Sequence, residues 1–305
     1  MARLRGYHVL AVDRSGLNGD ALRDRVERQD VSLFDQIPAL LEMDDRRSLL
    51  ALHSACAKVH GTFSYLEIGS HLGGSLQALV RDPACNAIAS IDARPDWQPD
   101  EGGVNIVYPG NSSARMLDLL AGLPGASLGK IRTFDVSTTQ LSPVDLGLVP
   151  SLCFVDGEHT DEAALRDARF CRAAVRDSGC IAFHDAAIVY RGVAQFLHEL
   201  DAEAVAYSAY LLPATIFVIE FPQAKLRDVD GVTSLILENY RGYLYSLQSN
   251  DRYREFFNHW LFRQSRRLQR RLLKRRLERW AAQETASKLS RAAGPAGAMT
   301  HPTRD

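Results

Sequence analysis

Short apolar runs alternate with helical patterns through the middle of the chain. The apolar runs have the length and composition of buried strands, and most are followed at once by glycine or aspartate. The predicted strands are Phe63–Ile68, Ala87–Ile91, Lys130–Phe134, Ser151–Val155 and Cys180–Phe183. The predicted helices are Ser75–Arg81, Ser112–Ala121, Glu162–Val175 and Gly192–Leu200. This alternation predicts an α/β fold in which a mostly parallel sheet has helices on both faces.

A predicted hairpin closes the sheet. Val205–Leu212 and Thr215–Phe221 are apolar runs on either side of Pro213-Ala214, a dipeptide that suits a tight turn. Together with the earlier runs, they predict a doubly wound, mostly parallel sheet of about seven strands.

Helical patterns precede the sheet in the sequence. Tyr7–Val12 predicts a short strand, and Asp20–Gln29 a short polar helix. Ser32 is placed to cap a helix that continues to Leu41, and a further helix begins at Asp44 and ends at Gly61. Residues 1–59 are therefore predicted to be a helical lead-in to an α/β domain over residues 60–222.

Helical patterns also follow the sheet. Val232–Leu247 predicts one helix and Arg252–Ala293 a long basic one, so residues 223–293 form a predicted helical extension. Gly294–Asp305 contains Gly, Pro and small polar residues and is predicted to be a disordered tail.

Charge separates the chain into two parts. Residues 252–291 contain 13 Lys and Arg against 3 Asp and Glu, a local excess of ten positive charges. Since the whole chain has a net charge of −1, the remainder carries −11. The nearly neutral total thus describes an acidic α/β part joined to a basic C-terminal segment.

The cysteines indicate a reducing environment. There are 5 of them, an odd number, and no two form a C-x-x-C pair, which excludes a zinc ribbon and a disulfide framework. Reduced thiols fit a cytoplasmic protein. The apolar run near the N-terminus is too short for a signal peptide, and no apolar stretch is long enough for a membrane span.

Three interpretations of the basic helix remain open. Apolar residues fall near one face of it and arginines fill much of the rest, which favours a homo-oligomer in which the helix packs on a second copy. Trp260, Trp280 and the density of arginine are also typical of a helix that lies on an anionic membrane surface. Nucleic acid is the least favoured partner, because the −11 of the remainder repels phosphates.

The strongest motif is a glycine-rich turn between a strand and a helix, over Tyr65–Ser75. Gly69 and Gly73 would let the backbone pass close to a ligand at the carboxyl end of the strand. Asp92 ends the next predicted strand, where a carboxylate can accept hydrogen bonds from both hydroxyls of a ribose. The pattern is E-x-G-x-x-x-G-G, which differs from the G-x-G-x-x-G of nicotinamide and flavin sites.

Three more segments follow this turn in a recognisable order: Ser90–Asp92, Val155–His159 and Phe183–Asp185. The four together resemble class I S-adenosylmethionine-dependent methyltransferases, and most closely their small-molecule O-methyltransferase-like branch. The resemblance covers about half the chain and implies a Rossmann-like fold with S-adenosylmethionine as cofactor. It implies a cofactor site that includes Glu67, Gly69, Ser70, Gly73 and Asp92.

The resemblance leaves two candidates beside the adenine. Asp135 ends the third predicted strand, where relatives often have an adenine contact. The tripeptide Gly110-Asn111-Ser112 competes for the role, since it resembles the "GDS" of relatives but has Asn in place of Asp.

Two neighbouring predicted strands are each followed by polar residues: Asp156, Glu158 and His159 after one, and His184 and Asp185 after the other. Their side chains should therefore meet at one edge of the sheet. Oxygen ligands there suit a hard divalent cation such as Mg²⁺. The resemblance to metal-dependent O-methyltransferases implies that Asp156 and Asp185 bind the cation, with His184 where relatives have a carboxylate or amide. Histidine at that position suits zinc or manganese better than magnesium. A second interpretation needs no metal, because His159 or His184 can take the acceptor proton as a general base.

The predicted activity is methyl transfer from S-adenosylmethionine to a hydroxyl of a small molecule, such as a sugar or a secondary metabolite. Asp156, His159 and His184 are the predicted catalytic residues. Two other classes remain open: a non-catalytic module that binds an adenosyl cofactor, and an enzyme of different chemistry on the same scaffold. Intact Asp156 and Asp185 disfavour the first of these.

Overall fold

A computed structural model describes residues 19–103, 105–214, 216–258 and 271–276. Contacts between Cα atoms divide the chain into two units, Met1–Leu247 and Gln248–Asp305. The described strands all belong to the first unit. In chain order they are β1 (Phe63–Ile68), β2 (Cys85–Ile91), β3 (Trp97–Pro99), β4 (Asn105–Val107), β5 (Ile131–Phe134), β6 (Leu152–Val155), β7 (Cys180–Phe183), β8 (Ser208–Leu211) and β9 (Phe217–Glu220).

Seven of these strands form one sheet, in the order β5-β2-β1-β6-β7-β9-β8. The pairs from β5 to β7 are parallel, and β9 pairs antiparallel with both β7 and β8. The order reverses between β1 and β6, because the chain runs outward from β1 to one edge and then returns to build the other side. A crevice at the carboxyl ends of these two strands is where ligands bind in doubly wound sheets.

The helices surround the sheet. They are α1 (Gly19–Glu27), α2 (Met43–His60), α3 (Ser113–Ala121), α4 (Asp161–Val175), α5 (Tyr190–Ala202), α6 (Asp230–Thr233) and α7 (Tyr240–Asn258). Alternate residues of each central strand enter one of two buried apolar clusters: Tyr65 faces the cluster that includes α2 and α3, and Leu66 the one that includes α4 and α5. The predicted doubly wound, Rossmann-like sheet of about seven strands is therefore confirmed.

Local signals fix several element ends. Gly61 ends α2 with a positive φ of 71°. Ser112 caps α3 and Thr160 caps α4, each accepting a hydrogen bond from a backbone N–H in the first turn. The predicted hairpin around Pro213-Ala214 is present as the antiparallel pair of β8 and β9.

The predicted helix over Ser75–Arg81 is wrong, because residues 71–81 form a series of turns. The side-chain amide of Gln77 donates to the carbonyls of Phe34, Ile37 and Gly74, and its oxygen accepts from the N–H groups of Gln36 and Ile37. This buried side chain joins the glycine-rich segment to residues 34–37, and helix-type backbone bonds within the turns are isolated ones, such as that from the N–H of Val80 to the carbonyl of Leu76.

The same contacts explain a second error. The predicted helix from Ser32 to Leu41 is only a 3-10 turn over Val31–Phe34, capped by Asp30 rather than by Ser32. Residues 36–41 instead take an irregular path, and a Cβ on Gly74 would lie 2.4 Å from the carbonyl oxygen of Pro38.

The predicted helix over Val232–Leu247 is also interrupted. Leu237 pairs with Leu211 on β8 through backbone hydrogen bonds in both directions, and Asn239 has a φ of +70°. An edge strand offers unpaired backbone groups, and Leu237 uses them in place of helix bonds.

Other predictions fall partly or wholly outside the described residues. Tyr7–Val12 and the tail from Gly294 lie outside them, as does most of the basic helix, of which residues 252–258 and 271–276 are described and helical. The predicted segment boundaries and the roles of the basic helix stay predictions. Among the described residues, no helix is both long and apolar enough to cross a membrane.

Candidate active site

Two cavities open at the carboxyl ends of the parallel strands. The larger has a volume of about 330 Å³, and the smaller about 210 Å³. Both are lined by Gly69, Asp92 and Gln98, so they meet at the ends of β1 and β2. This shape suits a long ligand whose two ends occupy different cavities.

The turn after β1 is packed too tightly for a side chain. Gly69 has a φ of +93°, and a Cβ there would lie 2.0 Å from the carbonyl oxygen of Asp156. Gly69 thus allows the turn to contact the end of β6 as well as to line both cavities. Gly73 has a different neighbour: a Cβ there would meet the side chains of Met116 and Leu120, and Gly73 lines neither cavity.

Glu67 lies beneath this turn and is fully buried. Its Oε1 accepts a hydrogen bond from the hydroxyl of Ser75, while Oε2 has no partner among the described residues. Burial raises the pKa of Glu67 to about 8, and the nearby charge of Asp156 adds to the rise, against the hydrogen bond from Ser75. Ser70, the next predicted cofactor residue, lines the larger cavity and bonds to the hydroxyl of Ser90 at 2.7 Å.

Asp92 is held at the junction of the two cavities. One carboxylate oxygen accepts from the N–H of His71 at 2.9 Å and the other from the N–H of Arg94 at 2.8 Å. The guanidinium of Arg94 lies 3.3 Å from Asp92, donates to the carbonyl of His71 at 2.6 Å, and is only 6% exposed. The turn and the predicted ribose carboxylate are therefore joined by one buried arginine, which the sequence analysis missed.

Asp135 lines neither cavity. It accepts a hydrogen bond from Ser113 at the start of α3 and lies 3.4 Å from Nε of Arg94. The next three residues, Val136, Ser137 and Thr138, line the smaller cavity, together with Glu158. Asn111, from the competing tripeptide, lines the larger one and accepts from Arg94.

The floor of the larger cavity contains the predicted reaction residues. Asp156 and His159 follow β6, and His184 and Asp185 follow β7. One ligand atom of each lies within 4.8 Å of the others, so the structure brings together all four.

Carboxylates surround both histidines. Nδ1 of His184 is 2.8 Å from Asp156 and 3.3 Å from Asp185, while Nε2 lies 3.2 Å from Asp45 of α2. Burial by itself lowers the pKa of His184, but these carboxylates outweigh it and raise the pKa to about 11. Burial also lowers the pKa of His159. The hydrogen bond to Asp156 and the charges of Asp156 and Asp185 have the larger, opposite effect, so the pKa of His159 is raised. The pKa of Asp156 is lowered, since the two histidines outweigh the effect of its burial.

A small hairpin of β3 and β4, absent from the sequence prediction, contributes to the larger cavity. Its residues Gln98, Asp100 and Ile106 line the cavity, as does Tyr108 just beyond it. The hairpin is joined to the strand-end loop by a hydrogen bond of 2.9 Å from the N–H of Glu101 to the carbonyl of His159. Burial raises the pKa of Tyr108 to about 12, and the charges of Asp156, Asp92, Asp185 and Asp100 add to the rise.

A serine motif elsewhere in the chain does not form a second site. Residues 125–129 read G-x-S-x-G, the pattern of the serine hydrolase elbow. That elbow requires a strand before the serine and a helix after it, whereas Ser127 lies in a turn before β5 and lines neither cavity.

A family model described as a methyltransferase domain matches residues 66–186, which run from β1 to the end of the reaction cluster. This match and the sheet order agree with the sequence resemblance to class I S-adenosylmethionine-dependent methyltransferases. The match extends over less than half of the chain.

Comparisons with whole proteins are weaker. No curated protein matches the chain. Among solved structures, the chain is similar to a protein described as an O-methyltransferase from Klebsiella pneumoniae, at 18% identity over 67% of this chain and 90% of that one, with a TM-score of 0.42. It is similar to the O-methyltransferase NovP, at 13% identity over 67% and 99% of the two chains, with a TM-score of 0.44. It is also similar to the O-methyltransferase TomG from Streptomyces achromogenes, at 13% identity over 67% and 90%, with a TM-score of 0.41.

Proposed function

We propose that the protein transfers a methyl group from S-adenosylmethionine to a hydroxyl of a small molecule, with the help of a divalent cation. The observation that supports this most directly is the arrangement of the two joined cavities. Asp92 lies at their junction, and Asp156, His159, His184 and Asp185 lie on the floor of the larger one. A long cofactor in both cavities would bring its reactive group to the side where the acceptor binds.

The cofactor would be oriented by residues already held in place. The carboxylate of Asp92 accepts hydrogen bonds from the ribose hydroxyls, and Val136, Ser137 and Thr138 surround the adenine in the smaller cavity. The methionine end then extends past Gly69 and Ser70 into the larger cavity. Gly73 and Asp135 have no direct part in this arrangement; Gly73 serves the packing of α3, and Asp135 helps to hold Arg94.

The acceptor hydroxyl must lose its proton as its oxygen attacks the methyl carbon in line with the departing sulfur. The pKa of Tyr108, raised to about 12, shows what burial and four carboxylates do to a hydroxyl in this cavity. An acceptor in the same place would be harder to ionise than in water, so a positive charge is needed beside its oxygen.

The residues of the cluster fit a divalent cation. Metal–ligand bonds to carboxylate and imidazole are about 2.0–2.2 Å, so two ligand atoms of one ion lie at most about 4.4 Å apart; Nε2 of His159 lies 3.5 Å from Asp156 and 3.7 Å from Asp185. Asp156, Asp185 and His159 would hold the ion. His184 has a carboxylate at each ring nitrogen, and we assign it the role of positioning Asp156. When bound, the cation would lower the pKa of the acceptor hydroxyl and stabilise its oxyanion.

A metal-independent route with His159 as general base is the second candidate. Asp100 lies 3.9 Å from Nδ1 of His159, a position from which a carboxylate can orient the ring. Because the pKa of His159 is raised above its usual value, the neutral form that can act as a base is reached at higher pH, and turnover by this route would increase as the pH rises.

Three measurements test the proposal. Calorimetry should show binding of S-adenosylmethionine and S-adenosylhomocysteine and none of NAD; binding of NAD alone would contradict the cofactor assignment. A panel of hydroxyl compounds is then screened for production of S-adenosylhomocysteine. Full activity after exhaustive chelation would exclude the cation and favour His159 as base.

The third measurement uses the metal alone. Mn²⁺ binding, followed by electron paramagnetic resonance, should be lost in Asp156→Asn and Asp185→Asn but kept in Asp177→Asn, an exposed aspartate after α4. Retention of Mn²⁺ binding in both cluster variants would contradict the ligand assignment.

A further inference from the structure

The larger cavity has an unusual distribution of charge for a site that would receive a metabolite. Four aspartates line it: Asp92, Asp100, Asp156 and Asp185. No Lys or Arg lines it among the described residues. Recognition of a phosphate or carboxylate normally uses Arg or Lys, and this cavity offers neither.

These negative charges are only partly compensated from within the protein. Asp92 is paired with Arg94, and Asp156 and Asp185 both lie at ion-pair distance from His159 and His184. Asp100 has no Lys or Arg at ion-pair distance among residues 19–258 that the structure describes, and its nearest cationic partner is His159 at 3.9 Å. A divalent ion between Asp156 and Asp185 would offset the charges of those two carboxylates. The charge of Asp100 would remain uncompensated.

The walls above this floor are apolar. They include Leu41, Leu72, Ile106 and Ile188. Leu40 also lines the cavity, although it is 65% exposed to solvent. Leu40 therefore lies at the rim, where one of its sides faces the cavity and another faces solvent. A ligand with an apolar body would cover these side chains, and its hydroxyl would reach the charged floor.

We propose that the methyl acceptor is an uncharged or cationic hydroxyl compound with an apolar body, and that acceptors bearing a phosphate or carboxylate are rejected. This rests on the proposed function, since it places the acceptor in the part of the larger cavity beyond the methionine end of the cofactor. The apolar walls supply the affinity, and the uncompensated carboxylate of Asp100 supplies the discrimination. An anionic group about 8 Å from one such carboxylate should lose at least about tenfold in affinity at an effective dielectric constant of about 20.

The test uses sets of compounds that share a hydroxyl-bearing ring and carry a neutral, cationic or anionic substituent. One set is catechol, dopamine and 3,4-dihydroxybenzoate, and another is a neutral alkyl glucoside, its 2-amino analogue and its glucuronide. Binding to the protein loaded with S-adenosylhomocysteine is measured by ligand-detected NMR at pH 7. The neutral and cationic members should bind, and the anionic member should bind at least tenfold more weakly. Equal or tighter binding of the anionic members overturns the inference, and so does a lack of binding by every member of both sets.

Two variants of the rim residue separate electrostatics from shape. Leu40→Arg adds a cation beside the cavity, and Leu40→Gln is a neutral polar control of similar length; both should fold, because this side chain is largely exposed. Leu40→Arg should raise the affinity of the anionic members about threefold relative to Leu40→Gln. Identical behaviour of the two variants would overturn the electrostatic explanation. Binding of S-adenosylhomocysteine, measured first, tests the proposed function by itself.

Discussion

Nε2 of His184, at the carboxyl end of β7, lies 3.2 Å from a carboxylate oxygen of Asp45, in the first turn of α2. The side chain of Asp45 is 2% exposed, and that of His184 6%. A helix that precedes the matched methyltransferase segment therefore contributes a buried counter-ion to the reaction cluster. The same carboxylate also accepts from the backbone N–H of Glu42, the N-cap of α2, so Asp45 helps to begin the helix as well.

Loss of this counter-ion should destabilise the fold. Asp45→Asn removes one of the carboxylates that stabilise the buried positive charge of His184. We therefore expect the free energy of unfolding at pH 7 to fall by about 3 kcal/mol. The control is Asp44→Asn, one residue earlier, where the side chain is about half exposed and pairs with Arg47; it should change stability by less than about 1 kcal/mol. Urea denaturation of both variants is the measurement, and equal effects would contradict the role of Asp45.

The contribution of His184 to stability should disappear in alkali. Its pKa is raised in the folded protein from 6.5 to about 11, so the folded state binds the proton more tightly than the unfolded chain. The stabilisation is fully present below pH 6.5 and is lost as the pH rises towards about 11, at up to about 1.4 kcal/mol per pH unit. His184→Gln should remove this slope, as measured by denaturation at pH 7 and pH 10. Parallel pH profiles of wild type and variant would show that His184 does not titrate in this range.

Arg94 should control cofactor affinity through Asp92. Its guanidinium reaches the carboxylate of Asp92, the carbonyl of His71 and the side chain of Asn111 at once, which a lysine ammonium cannot do. Arg94→Lys should therefore weaken binding of S-adenosylhomocysteine about tenfold, and Asp92→Ala by about 1.5–3 kcal/mol. Arg115→Lys is the control, because Arg115 donates to Pro109 and Gly110 outside this set of contacts. If calorimetry gives Arg94→Lys and Arg115→Lys the same affinity, Arg94 does not position the ribose carboxylate.

Gly69 should tolerate no side chain. Gly69→Ala places a Cβ 2.0 Å from the carbonyl oxygen of Asp156 at a φ of +93°, so the turn or β6 must move. We expect a loss of at least about 3 kcal/mol in unfolding free energy. Gly103→Ala is the matched control, since Gly103 also has a positive φ, +78°, with nothing within 4 Å of its Cβ; backbone strain alone should cost it about 1 kcal/mol. The melting temperatures of the two variants are the measurement. Equal decreases in both would show that the contact with Asp156 is unimportant.

Much of the sheet could be predicted from the sequence. β1 and β7 have the predicted bounds, and the other strands of the parallel part differ from prediction by one or two residues at one end. Each strand is a buried apolar run, which depends on the residues of the run itself. The strand-end residues Asp156, His159, His184 and Asp185 were found for the same reason, because parallel strands bring their carboxyl ends to one edge of the sheet.

Elements that depend on distant partners were not predicted. The turns over 71–81 are joined to residues 34–37 by the buried side chain of Gln77, and Leu237 leaves its helix because β8 offers an unpaired edge. Arg94 gave no signal in the sequence, since its importance comes from three acceptors that belong to different loops.

The amino-acid sequence by itself determined the alternation of strands and helices, the direction of the sheet and the set of chemical groups at its carboxyl edge. These follow from side-chain periodicity and from the geometry of parallel strands, which act over a few residues. The tertiary structure decided which charges meet: Asp45 with His184, Arg94 with Asp92, and Asp100 of the β3–β4 hairpin with His159. Electrostatic interactions depend on distance in space and on exclusion of water, and neither is encoded by separation along the chain.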